Sequence, residues 1–127
     1  MKLLSPDQYQ ASAATLQLPN DLDPATVSLE GVNRIELNFP KFSDGRAFSQ
    51  AFLLRRRRDF AGELVATGDV LVDQLAQMQR SGFDVAVLRA DQSLATAERV
   101  LAAYPGFAVG RYQGDAKQLA PHFKGTA

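Results

Sequence analysis

Apolar and polar positions change their period along the chain, and each change marks an element. Ala14 to Leu18, ATLQL, opens the series, followed by a polar turn around Asn20 to Asp23 and then Pro24, which suits the first position of a short helix. Residues 34–39, RIELNF, mix β-branched and aromatic residues as a strand does, and Pro40 ends it because proline has no amide to give to a ladder. From about Ala47 to Arg57 the period lengthens, with Phe48, Ala51, Phe52 and Leu54 expected on one helical face. A short strand, ELVAT at 63–67, comes next. Asp69 then stands where an N-cap belongs, ahead of Leu71, Leu75 and Met78 at i, i+4 and i+7, and Gly82 is the expected helix stop. A further strand, DVAVLR at 84–89, leads to a helix opened by Ser93 and carrying Leu94, Ala97, Leu101 and Tyr104 on its core side. Pro105 and Gly106 close that helix, FAVGRY at 107–112 reads as a last strand, and a polar tail runs to Ala127.

Strands alternating with helices of about three turns call for βαβ units, which make neighbouring strands parallel and their crossovers right-handed. The expected fold is therefore α/β, a single domain over residues 1–127 with its core at about 14–113 and about five mostly parallel strands. An open, flavodoxin-like sheet is favoured, because the alternative, a half (β/α) barrel, leaves two edges and an apolar interior exposed unless it dimerises.

Composition narrows the chemistry. The 127 residues include 14 basic and 14 acidic ones, so no charge footprint invites nucleic acid. Arg55 to Arg58 do not change this, since four successive helical positions spread through about 300° and cannot form one stripe. Arg55 falls on the apolar face and is expected to snorkel out at the bottom of the sheet, meeting helix carbonyls. With no cysteine, thiolate nucleophiles, disulfides and cysteine-ligated metal centres are excluded, and the single histidine, His122, has no second histidine beside it. The run MKLL stops at Ser5 and Pro6, far short of a membrane span or signal core, so the expected location is cytoplasmic. No GxGxxG, P-loop, GxSxG or HExxH pattern occurs, and no cofactor or metal is predicted.

In parallel α/β folds ligands bind beyond the carboxyl ends of the strands. There the chain places NFPKFSDGR, from Asn38 to Arg46, then Thr67, Gly68 and Asp69, then Arg89 to Asp91, then Arg111, Tyr112 and Gln113. The first loop has two readings. Lys41, Asp44, Gly45 and Arg46 can form an anion-binding corner at a helix start, or Asp44 caps the helix, Gly45 turns the chain and both cations are solvated. Asp69 is likewise either a cap or a weak candidate for a catalytic base. Asn38, Thr67, Gly68, Arg89, Tyr112 and Gln113 are candidates for the same cleft. Asp73, Gln77 and Arg80 point away from the apolar stripe and are the candidate partner surface.

Taken together, NFPKFSDGR, GELVATGDVLVDQL, RSGFDVAVLR and GRYQG resemble an uncharacterised bacterial family labelled as oxidoreductases of sulfite reduction. The family's motif runs fall at Phe39 to Phe42, Asp44 to Arg46 and Gly68 to Leu71, within a resemblance covering about Arg34 to Gln113. The label follows from genes lying beside those for sulfite reductase and the reductase of activated sulfate, so the resemblance implies a pathway and not a reaction. The chain departs from the family pattern at Asn38, usually aspartate, at Phe48, usually tyrosine, and at Ser81, often cysteine. Asn38 cannot take a proton and Ser81 offers no thiol, which turns the expectation away from an enzyme. The resemblance implies an accessory protein that binds a sulfur-assimilation enzyme such as sulfite reductase, with no nucleic acid, no membrane, and a homodimer as one assembly. The alternative is a small oxyanion- or nucleotide-binding enzyme or sensor.

Overall fold

In the computed structural model, which describes residues 1–41 and 43–103, five strands form one parallel sheet. The elements are β1 (Lys2–Leu4), β2 (Thr15–Leu18), β3 (Arg34–Phe39), α1 (Arg46–Arg56), β4 (Glu63–Gly68), α2 (Leu75–Ser81), β5 (Val85–Val87) and α3 (Leu94–Ala102). The sheet order is β1-β5-β4-β3-β2 and every neighbouring pair is parallel. This is the open α/β sheet expected. The five strands are not the five expected, however. The sequence pattern omits β1, whose three residues carry no detectable period and which exists by pairing Lys2, Leu3 and Leu4 with Val85, Ala86 and Val87. The expected strand at 107–112, Tyr104 on the last helix and the polar tail lie outside the described residues.

From β2 to β5 each strand is laid beside its predecessor in one direction. Crossovers of one hand put α1 and α2 on the same face, and α3, after β5, packs into the same core. Ile35, Leu37, Phe39, Leu64, Ala66, Ala86 and Leu88 from the sheet meet Ala47, Ala51, Leu54, Leu75, Met78, Ala97 and Leu101 from the helices in one core. The opposite face is treated differently. Val65, Val85 and Val87 form a smaller cluster with Leu4 and Tyr9, because the connection from β1 to β2 must return from one edge of the sheet to the other across that face. On the same side β3 presents Arg34 and Glu36, which bond to Gln10 and Tyr9 of this strap, and Asn38.

Local signals set the ends of elements as expected at three places. Asp23 accepts a hydrogen bond from the Ala25 amide at a 3-10 turn, Pro24–Thr26. Gly82 closes α2 at φ 108°, a left-handed conformation natural to glycine. Ser93 Oγ accepts from the Thr96 amide at the start of α3.

The expected face of α1 needs revision: Ala47, Gln50, Ala51, Leu54 and Arg55 are buried while Phe52 is 36% exposed. Gln50 explains part of the shift, since its Nε2 donates to the carbonyls of Pro19 and Leu22 and ties the loop after β2 to the helix. Arg55 does not snorkel to water. It is buried at the amino ends of β4 and β5, donating to the carbonyls of Phe60, Gly62 and Gly82 and to Asp84. Arg58 donates to the carbonyls of Pro24 and Val27, so it too is consumed structurally.

Candidate functional site

The carboxyl edge of the sheet does gather polar side chains, in separate groups with different partners. At the start of α1, Asp44 Oδ1 accepts from the Arg46 amide at 3.0 Å and Asp44 Oδ2 accepts from Arg46 Nη2 at 3.1 Å and from Asn20 Nδ2 at 2.8 Å. These bonds, that from the Arg46 amide foremost, hold the Asp44 carboxyl below its ordinary range. Asp44 thus serves the helix start from one position before the cap, which is Gly45. Gly45 has φ −91° and a Cβ built on it would meet nothing within 4 Å, so no tight turn there requires glycine. Arg46 is folded back onto Asp44, and of the two expected cations only Lys41 is exposed without a side-chain partner among the described residues.

At the ends of β4 and β5, Arg89 Nη1 donates to Asp69 Oδ1 at 2.7 Å, while its Nε and Nη2 donate to Asp91 at 2.7 and 2.8 Å. Asp91 first, then Asp69, holds the guanidinium above its ordinary value, and Arg89 in turn lowers Asp91 to about 2. Asp69 is therefore not the cap of the following helix. Gly68, at φ 95°, and the bond from the Val70 amide to the Gly68 carbonyl turn the chain sharply. Val70 is then buried and a 3-10 turn, Val72–Gln74, intervenes before α2 begins. The exposed positions Asp73, Gln77 and Arg80 lie on that turn and helix, on the outward side expected of them.

Asn38 and Thr67 are register partners on β3 and β4, and they line an open trough of about 390 Å³ with Gln17, Leu18, Pro19 and Glu36. Gly68 is required beside them: a Cβ there would come 2.5 Å from the Phe39 carbonyl oxygen and 2.6 Å from Asn38 Oδ1. Glu36 Oε2 accepts from Tyr9 Oη at 2.6 Å and Oε1 from Gln17 Nε2 at 3.3 Å. Burial, then the bond to Glu36, pushes the Tyr9 phenol up to about 12. Tyr9, Gln17, Asn20 and Glu36 were not singled out from the sequence. The alternation of RIELNF was a usable signal for Glu36, since it puts Glu36 and Asn38 on one polar face. Tyr112, Gln113 and His122 lie outside the described residues. Among the described residues no three His, Cys, Asp or Glu side chains gather as a metal site, and no helix is long and apolar enough to cross a membrane.

One protein family matches residues 14–123. The chain belongs to it: the bacterial proteins of unknown function (DUF934). The match spans β2 through α3, and so includes every strand that lines the trough and both ion-pair groups. β1, which completes the other edge of the sheet, precedes the matched region. No curated protein and no solved structure matches the chain.

Proposed function

We propose that this member of the family is an accessory protein of assimilatory sulfite reduction that binds a reductase of the sulfur pathway. The observation supporting binding over catalysis is that the arginines at the carboxyl edge already hold carboxylates: Arg46 holds Asp44, and Arg89 holds Asp69 and Asp91. Asp69, the candidate base, is engaged by a cation, and Asn38 has no proton-accepting carboxylate. Such an edge is a preorganised surface of oriented hydrogen-bonding groups, suited to complementarity with a partner. The exposed Asp73, Gln77 and Arg80 add a second polar surface close by in sequence. The pathway itself is supported by the resemblance of the ordered motif string from Asn38 to Gln113. The oxyanion-binding alternative retains Lys41 as its exposed cation.

Recovery of the tagged full chain from cells assimilating sulfate tests the proposal. Sulfite reductase or the reductase of activated sulfate is expected to come with it, and Asp73→Lys combined with Arg80→Glu is expected to reduce that recovery. Recovery without any enzyme of sulfur assimilation overturns the proposal.

A further inference from the structure

The trough on the face opposite the helices has a chemistry of its own. Its described lining carries one formal charge, the carboxylate of Glu36. Arg34, two residues earlier on the same face, is the nearest cation along the strand. It is already committed, its Nε donating to Glu63 at 2.9 Å and its Nη1 to the Gln10 carbonyl at 3.1 Å. One carboxylate of the Glu36, Glu63 and Arg34 set is therefore in excess.

Glu36 is also held in place. Tyr9 fixes one oxygen at 2.6 Å, while the other receives only a 3.3 Å contact from Gln17 and keeps lone-pair capacity for a further donor. Two residues further toward the carboxyl end, the side chains of Asn38 and Thr67 have no hydrogen-bond partner among the described residues. The exposed Pro19 supplies an apolar wall, while the Leu18 side chain turns into the core on the helix side and only edges the trough. A volume of about 390 Å³ lies in the range of small-ligand sites and accommodates an alkyl chain with a planar or tetrahedral cationic head.

We propose that this trough binds a cationic hydrogen-bond donor, a guanidinium or alkylammonium group, with Glu36 as the charge partner and Asn38 and Thr67 as neutral acceptors. The alkyl part lies on Pro19. The head donates to the open oxygen of Glu36 and to the carbonyl of Asn38, an arrangement that sulfate cannot make because it has no donors. The site is the electrostatic opposite of the oxyanion corner expected from the loop after β3. It stands whether or not the protein docks on a reductase.

The test is an amide-resolved NMR titration of the full chain with agmatine, with an acetylated and amidated glycine-arginine-glycine peptide, and with sodium sulfate at matched ionic strength. Agmatine or the peptide is expected to shift Gln17, Glu36, Asn38 and Thr67, and sulfate is not. Tighter binding of agmatine identifies a free amine as the source, and tighter binding of the peptide identifies a protein side chain. Glu36→Gln, which keeps an acceptor for Tyr9, is expected to weaken binding about fivefold, and Asn38→Asp to strengthen it about fivefold. If Glu36→Gln fails to fold, Asn38→Asp decides alone. Shifts in the trough with sulfate, no trough shifts with either cation, or an unchanged affinity in Asn38→Asp overturns the proposal.

Discussion

At the amino ends of β4 and β5 an arginine and an aspartate are sealed inside the protein, whereas at the carboxyl ends of the same strands a similar set stands half in water. The Arg55 and Asp84 side chains are 4% and 9% exposed, against 40% for Arg89 and 61% for Asp91. The inner guanidinium uses all five of its N–H groups: Nε and Nη2 on the Gly82 carbonyl, Nη1 on those of Phe60 and Gly62, and Nη2 again on Asp84. Asp84 Oδ2 also accepts from the Leu64 amide. This clasp joins the loops leading into two adjacent strands. The outer set fixes loop ends through side chains that solvent reaches. The same residue types therefore have different roles: burial with full hydrogen bonding makes the first part of the fold, and exposure leaves the second available to a partner.

The largest expected effect breaks the inner clasp. Arg55→Met strands Asp84 and removes the donors of three carbonyls, so it is expected to cost about 3–5 kcal/mol in urea unfolding. A loss comparable to that of an exposed arginine would erase the distinction between the two ends. Gly68→Ala comes next. At φ 95°, with a Cβ 2.5 Å from the Phe39 carbonyl, it is expected to lose about 2 kcal/mol and to perturb Asn38 and the trough, as seen in amide spectra. An unchanged denaturation midpoint would show that the turn relaxes freely.

The smallest effect is at the outer set, where Arg89→Gln is expected to leave the denaturation midpoint nearly unchanged. Its signature is in pH. Asp91 has its folded pKa lowered from 3.8 to about 2, so its contribution is present above about pH 4 and lost as pH falls toward 2. In Arg89→Gln the Asp91 carboxyl, followed by carbon-detected NMR, is expected to titrate back near 3.8. A titration near 2 in that variant would assign the shift to something other than Arg89.

Much of the fold is legible in the sequence because its signals are local. Pro40 after RIELNF, Asp23 before Pro24, Gly82 after α2 and Ser93 before α3 each act within a few residues of themselves, and the structure places an element end at each. The Asp69 cap failed for one local and one distant reason: Gly68 turns the chain, and Arg89, twenty positions away, takes the carboxylate. The first-loop residues were found, but the closing of Arg46 onto Asp44 and of Asp44 onto Asn20 was not, since a pattern gives residue types and not their partners.

The sequence by itself determined the alternation of strands and helices, and with it parallel strands, because period and capping are properties of neighbouring residues. Only the tertiary structure decided that the sheet is open and not half a barrel, that β1 fills the edge beside β5, that the three described α-helices cover one face, and that Arg55 is buried. Each depends on residues far apart in the chain meeting across the sheet. One trace of that decision was already written in β3. A parallel strand covered on both faces reads as a continuous apolar run, and RIELNF alternates instead. Its polar half, Arg34, Glu36 and Asn38, marked the face that none of the described α-helices covers.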